Sequence, residues 1–302
     1  MDQRGAGSAD AGHRPAGGGK AILAARSSPA AAGAAPAGRR QPAVLAIAGH
    51  DPTGGAGIQA DIEAIVGLGG RPVTLITALT AQNTRQFERL LPQEPEQLLC
   101  QARLLLADTP VRACKVGALG SAALAEAVAE TLRMAGLPPV VLDPVLRSTT
   151  GGVLLDSRGQ DALFARLLAH TAVLTPNLEE ARRLSGHAAP ARAAAALLDA
   201  GAAHVLITDT EAEADEVCNI LYGRDGKLQE CRWPRLAGAC HGSGCTLSAA
   251  IAAGLAAGRD VPEASVRAQE YTWQVLRDAG APGDARDRAR APGLRRGTAP
   301  VS

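Results

Sequence analysis

The sequence predicts an α/β protein: a central, mostly parallel sheet with helices on both faces and a hairpin at one edge. Three observations predict it. Short apolar runs rich in β-branched residues alternate with stretches whose apolar residues recur at helical spacing, the rhythm of a parallel sheet covered on both sides. Hydrophobic residues make up 46% of the 302 residues and aromatics only 2%. The core is therefore Ala, Leu, Val and Ile, which suits layers of helix on buried strand. Finally, the segments that follow the strands are polar or glycine-rich, and in such sheets ligands bind beyond the carboxyl ends of the strands.

The elements follow in order. "AVLAIAG" (43–49) is a buried strand ending in glycine, and "GIQADIEAIVGLG" (57–69) carries a helical period. "PVTLITALTAQN" (72–83) is a β-branched strand, "EQLLCQARLLLAD" (96–108) a helix and "VRACKVGALG" (111–120) a strand. "AALAEAVAETLRMAG" (122–136) is a helix with a glycine stop, and "PVVLDPV" (139–145) and "AVLTPN" (172–177) are strands, the second leading into "LEEARRLSG". A helix over 190–201 and the strand "AHVLITD" (203–209) come next. Strands near 217–222 and 228–232 flank the turn "RDGK" as the edge hairpin. Helices over 243–257 and 262–278 close the domain. No element is assigned between 84 and 95 or between 146 and 171. Residues 41–278 thus form one domain. Residues 1–40, rich in Ala, Gly, Pro and Arg, read as a disordered extension, and 279–302 as a disordered Arg-rich tail.

The formal net charge of +1 gives no electrostatic case for nucleic acid or an anionic membrane surface. The six cysteines form no CxxC pair, which argues against a disulfide framework or a zinc ribbon and for a reduced, cytoplasmic setting. No unbroken apolar run is long enough to cross a bilayer, and "AILAA" (21–25) is too short for a signal core.

Several segments carry chemistry. In "AGHDPTGGAGIQAD" (48–61), Asp51-Pro52 forms a turn, and the glycines allow close backbone approach before a helix whose free N–H groups face a ligand. It is not a P-loop. Read alone, it is as well explained as a strand-to-helix turn. In "CHGSGCT" (240–246), Gly242, Ser243 and Gly244 precede a long Ala-rich helix. Converging N–H groups there suit the charge on a transferring phosphoryl group. Cys245 lies at the helix start, where a thiol pKa is expected to fall. It is open to three readings: general base, nucleophile, or a small packed residue. Lys115 sits near a strand end, open to phosphate contact or to snorkelling. Asp143 and Glu180 follow strands, where acids hold Mg2+ through water, or where a lone Glu complements a helix dipole. Gln82 and Asn83 offer amides to a heterocycle or cap the next element.

Together, "AGHDPTGGAGIQAD", "ITALTAQNT", "CKVGALG", "VVLDPV", "LTPNLEEA" and "HGSGCTLSAAIAA" occur in one order that resembles the hydroxymethylpyrimidine/phosphomethylpyrimidine kinases of thiamine biosynthesis, over roughly residues 43–276. The resemblance implies a ribokinase-like fold, usually a homodimer. It also implies two steps that use ATP and Mg2+: phosphorylation of 4-amino-5-hydroxymethyl-2-methylpyrimidine, then of its monophosphate to the diphosphate. It assigns Gln82 to the aminopyrimidine, Gly49, Ala56 and Thr80 to the pocket lining, and Asp61 to its vicinity. Gly242, Ser243 and Gly244 become the anion hole and Cys245 the catalytic base. Asp143 and Glu180 fall near the nucleotide phosphates and Mg2+; Lys115, from its place near a strand end, is a further candidate nucleotide contact. Where many members carry "KGGH", this chain reads "TDTEAEADE" and lacks that lysine, and from about 283 its tail diverges. The alternatives are a pyridoxal-type kinase and a non-catalytic pyrimidine-binding protein. The intact "HGSGC" argues against the latter.

Overall fold

A computed structural model of the chain describes residues 41–83, 85–148, 151–210, 215–236 and 241–278. The expected extension (1–40), the expected tail (279–302) and Cys240 lie outside the described residues.

Among the described residues, nine strands form one sheet in the order β3-β2-β1-β4-β5-β6-β7-β8-β9. Its parallel centre comprises β1 (Ala43–His50), β2 (Arg71–Gln82), β4 (Val111–Val116), β5 (Val140–Leu142), β6 (Thr171–Leu174) and β7 (Val205–Thr210). At one edge, β8 (Glu216–Gly223) and β9 (Gly226–Pro234) are the expected hairpin, antiparallel to β7 and to each other. At the other edge β3 (Phe87–Pro92) runs antiparallel to β2.

Strand β3 was not expected. "FERLLP" has no alternating pattern and no fully buried residue, so its conformation comes from pairing with β2 rather than from its own sequence. Helix α4 (Ser157–Arg166) was likewise unassigned. It buries only Gly159 and Leu163, too few for a legible apolar period, and is held by Asp156, whose side chain accepts from Gly159 N at 2.8 Å. Strand β5 is shorter than 139–145: the chain leaves the sheet at Asp143 and turns at Pro144.

Helices α1 (Gly57–Gly67), α7 (Ser243–Ala256) and α8 (Val261–Asp278) cover one face. Helices α2 (Pro95–Asp108), α3 (Ala122–Met134), α4, α5 (Leu178–Ser185) and α6 (Pro190–Asp199) cover the other. The strand period decides which residue meets which layer. On β4, Cys114 and Val116 join the α2–α3 side, while Ala113 joins the α1–α7 side. Lys115, alternating with Cys114, therefore points at α1. Helix α7 buries residues around most of its circumference, as an all-apolar helix must, so its N-terminus is fixed against the sheet. No helix among the described residues is long and apolar enough to cross a membrane.

Candidate active site

A cavity of about 250 Å3 opens at the carboxyl ends of the central strands. Gly49, Ala56, Thr80 and Gln82 line it, as do Asp143, Glu180 and the run Gly242–Cys245. These residues come from five segments of sequence, and the sheet brings them together because every parallel strand ends on the same side.

Two glycine-rich loops interlock at one wall. Gly242, the N-cap of α7, has φ +82, and a Cβ there would lie 1.8 Å from the Gly55 carbonyl oxygen. Gly57 has φ +61, and its Cβ would lie 2.3 Å from the Gly49 oxygen. No other residue fits either place. Asp51, buried, ties the interlock. Its Oδ1 accepts from Thr53 N (3.0 Å), and its Oδ2 accepts from Thr53 Oγ1 (2.8 Å) and Ala56 N (3.1 Å). His241 Nε2 lies 2.7 Å from Asp51 Oδ2 and bridges to the α7 loop. Burial works against the Asp51 charge, but the bonds from His241 and Thr53 outweigh it and hold Asp51 below its ordinary range. The sequence reading singled out neither Asp51 nor His241 as a site residue. Asp51-Pro52 was only a turn signal, and nothing local marks a partner 190 residues away.

The start of α7 has no side-chain cap. The first intrahelical bond of this turn runs from Thr246 N to Gly242 O, which leaves the Ser243, Gly244 and Cys245 N–H groups for an anion, with the helix dipole behind them.

Below the cavity lies a cluster of ionisable groups. Lys115 Nζ sits 2.8 Å and 3.0 Å from the two Asp61 carboxylate oxygens, and both side chains are fully buried. Burial pushes Asp61 up to about 6, against the pull of Lys115. Burial disfavours the Lys115 charge, yet Asp61, with Cys245 and Asp143, outweighs it and keeps the ammonium protonated. At neutral pH the pair is thus an ion pair. Two assignments change here: Asp61 and Lys115 do not line the cavity but support its floor, and neither is placed to touch a pyrimidine or a phosphate directly.

Cys245 is corrected in one respect. Its thiol pKa is raised, not lowered: burial pushes it up to about 12 and Asp143 and Asp61 add to that, against partial relief from Lys115 and the Gly57 N–H. A helix start lowers a thiol pKa only where it outweighs desolvation and neighbouring carboxylates. The thiol hydrogen-bonds Asp143, which also accepts from Ser248 Oγ at 3.4 Å. In this state Cys245 is a protonated thiol with a carboxylate within reach of its proton.

Asp143 is raised by burial, and Glu180 is pushed up to about 8 by burial and by Asp143. Glu180 takes up the helix-start role and also lies at the cavity wall. It closes a capping box with Asn177 at the start of α5, and its Oε1 accepts from Leu146 N at 3.4 Å, while it also faces the cavity. Asp143 and Glu180 both line the cavity, and two carboxyl groups at one wall suit a hard divalent cation. Among the described residues no group of three or more His, Cys, Asp or Glu gathers to hold a metal alone, so water and phosphate would complete the shell.

A second cavity, of about 340 Å3, lies between β7–β9 and α7–α8. Trp233 and Trp273, the two tryptophans of the chain, stack in its wall with centroids 6.2 Å apart. Asp209, at φ +53, is held by Arg235 at 2.7 Å. Thr208, Ser243 and Gly244 line both cavities: the start of α7 is a shared wall.

The phosphomethylpyrimidine kinase family description matches residues 51–288. The chain belongs to this family. The hydroxymethylpyrimidine/phosphomethylpyrimidine kinase of Streptomyces coelicolor is 41% identical over 241 residues, covering 78% of this chain and 88% of that one. The enzyme of the same name from Escherichia coli is 38% identical, covering 69% and 81%. Among solved structures, the phosphomethylpyrimidine kinase of Clostridium difficile matches with TM-score 0.68 and 29% identity, covering 78% of this chain and all of that one. The Staphylococcus aureus pyridoxal kinase in complex with ADP matches with TM-score 0.73 and 27% identity, covering 82% and 92%. The expected ribokinase-like architecture is the one shared with these kinases.

Proposed function

We propose that the protein transfers a phosphoryl group from ATP to 4-amino-5-hydroxymethyl-2-methylpyrimidine, and then to its monophosphate, in thiamine biosynthesis. The shared wall carries this reading: Ser243 and Gly244 belong to both cavities, so two small molecules would meet at one set of N–H groups. A pyrimidine fits the first cavity, where Gln82 offers both an amide donor and an acceptor to an aminopyrimidine edge. A nucleotide fits the second, between the tryptophans and α7. The curated relatives' names support the acceptor, and the ADP-bound neighbour supports the donor.

The N–H groups of 243–245 would stabilise charge on the transferring group, and as fixed dipoles they need no reorganisation. Cys245, with Asp143 behind its proton, would take the proton of the attacking hydroxyl. Since the resting thiol is protonated, that proton must first pass to Asp143 or leave the cluster. Lys115 would hold the resulting negative charge from below. Glu180, together with Asp143 while it is deprotonated, would hold Mg2+, whose charge would offset that of the phosphate oxygens.

A pyridoxal-type kinase is the second reading, favoured by the TM-score of 0.73 to the S. aureus enzyme. A purely binding protein would have no use for a second cavity on the same helix start. Five described cysteines are free thiols, which fits a cytoplasmic setting. A homodimer fits Leu79 and Leu91, paired across β2 and β3 and 40% and 44% exposed; light scattering measures it. The deciding assay incubates the protein with ATP, Mg2+ and either the hydroxymethylpyrimidine, its monophosphate or pyridoxal, and resolves the products. Turnover of pyridoxal alone would replace the first reading with the second.

A further inference from the structure

The first cavity poses an electrostatic problem. Its wall carries Asp51, Asp143 and Glu180. The hydroxymethyl acceptor is neutral, but its monophosphate brings a charge of about −1.5 to −2 at neutral pH. The N–H groups at 243–245 serve the donor phosphate, and Lys115 is sealed beneath the floor by Asp61. His241 faces Asp51 at 2.7 Å. Among the described residues, one Lys or Arg side chain lines this cavity: Arg147.

Arg147 is held in place. It bridges Val153 in an antiparallel pair. Ser148 N donates to Gly152 O at 2.8 Å, Gly152 N donates to Ser148 Oγ at 2.8 Å, and Leu154 N donates to Leu146 O at 3.0 Å. Gly152 in turn lies against the Phe87 ring of β3. The guanidinium makes one hydrogen bond, Nη1 to the Gly151 carbonyl at 3.1 Å, and carries four further N–H donors. The side chain is exposed and forms no ion pair with a carboxylate among the described contacts.

We propose that Arg147 binds the phosphate of the monophosphate acceptor and so separates the second phosphorylation from the first. This rests on the kinase reading above. In the second step one acceptor phosphate oxygen forms the new P–O bond to the terminal phosphorus of ATP, as the bond from that phosphorus to the ADP oxygen breaks. The remaining acceptor oxygens are left to a planar, bidentate donor, the geometry a guanidinium offers. The hydroxymethyl substrate has no group for Arg147 to hold, so the first step does not need it.

The test compares Arg147→Gln and Arg147→Lys with wild type on both acceptors. For Arg147→Gln, kcat/KM on the monophosphate should fall roughly ten- to 100-fold, as for loss of a charge-assisted contact, with the hydroxymethylpyrimidine changed by less than about twofold. Arg147→Lys should recover part of the loss, keeping the charge and losing the fork. An unchanged ratio of the two kcat/KM values, or an equal loss on both acceptors, would overturn the proposal. Calorimetric Kd values for the two acceptors without nucleotide provide a readout independent of turnover. If wild type phosphorylates neither acceptor, the kinase reading fails, while a selective rise in the monophosphate Kd of Arg147→Gln would still support this contact. No such rise would sink it.

Discussion

The two cavities share one wall and differ in almost everything else. The first is built from loops that directly follow strands: glycines, short polar side chains and acids, each in a recognisable segment. The second is built from the edge hairpin and the last helix, with Trp233 from β9 stacked on Trp273 from α8 and Arg277 lying 5.1 Å above the Trp273 ring. Trp233 Nε1 donates to Gln269 Oε1 at 3.1 Å and Trp273 Nε1 to Pro234 O at 2.9 Å, so both rings are fixed by their polar edges as well as by stacking. The contrast separates two tasks. On the kinase reading, the first side would position chemistry with backbone and charge, where small displacements matter, and the second would hold a ligand with aromatic surface, which tolerates more variation.

The sharpest test of that division is Cys245→Ala. If the first cavity carries the chemistry, kcat should fall by about 10²–10⁴, the usual worth of a positioned acid or base, while acceptor Kd and nucleotide KM hardly change. Equal kcat in variant and wild type would remove the base role. Next in size is Lys115→Met, which leaves the Asp61 carboxylate buried without its partner. A loss of about 3–5 kcal/mol is expected by chemical denaturation, and Lys115→Met with Asp61→Leu together should restore much of it.

The second cavity should respond differently. Trp273→Ala is expected to raise the KM for ATP about tenfold through lost stacking and packing, with the acceptor KM unchanged. A rise in acceptor KM instead would mean that the two cavities are not separate sites.

The smallest effect concerns pH. Glu180 is raised to about 8 in the fold, so the folded state holds its proton more tightly than the unfolded chain. The stability this contributes is full below the ordinary carboxylate pKa of 4.5 and is lost as pH rises through about 8. Melting without Mg2+ between pH 5 and 9 should show this decline, and Glu180→Gln should flatten it. Added Mg2+ should recover stability at the alkaline end if Asp143 and Glu180 hold the ion. A melting curve indifferent to Mg2+ at pH 8–9 would count against that assignment.

The first cavity was largely legible in advance because its residues announce themselves locally. Glycines at a strand end and a Gly-Ser-Gly before an apolar helix are short-range signals, and the rule that ligands sit beyond parallel strand ends collects them at one place. Arg147 lies just beyond the strand segment "PVVLDPV" and carries no local mark of its surroundings. Trp233 and Trp273 were illegible for a different reason: 40 residues apart, with no common motif, they meet only because β9 pairs with β8 and α8 packs beside β9. Strand β3 and helix α4 escaped because both bury little, so neither prints a period on the sequence.

The sequence by itself determined the layered α/β class, the order of the parallel strands' elements and the loops that would face a ligand, since periodicity and glycine placement are local properties of the chain. The tertiary structure decided the electrostatics. It turned Lys115, open to phosphate contact or to snorkelling, into the buried partner of Asp61, and it raised the Cys245 thiol where a helix start alone would have lowered it. The reason is that desolvation and charge pairing depend on which groups lie within a few ångströms in space. Asp61, Lys115, Asp143 and Cys245 come from four separate segments of the chain, and only the closed sheet brings them together.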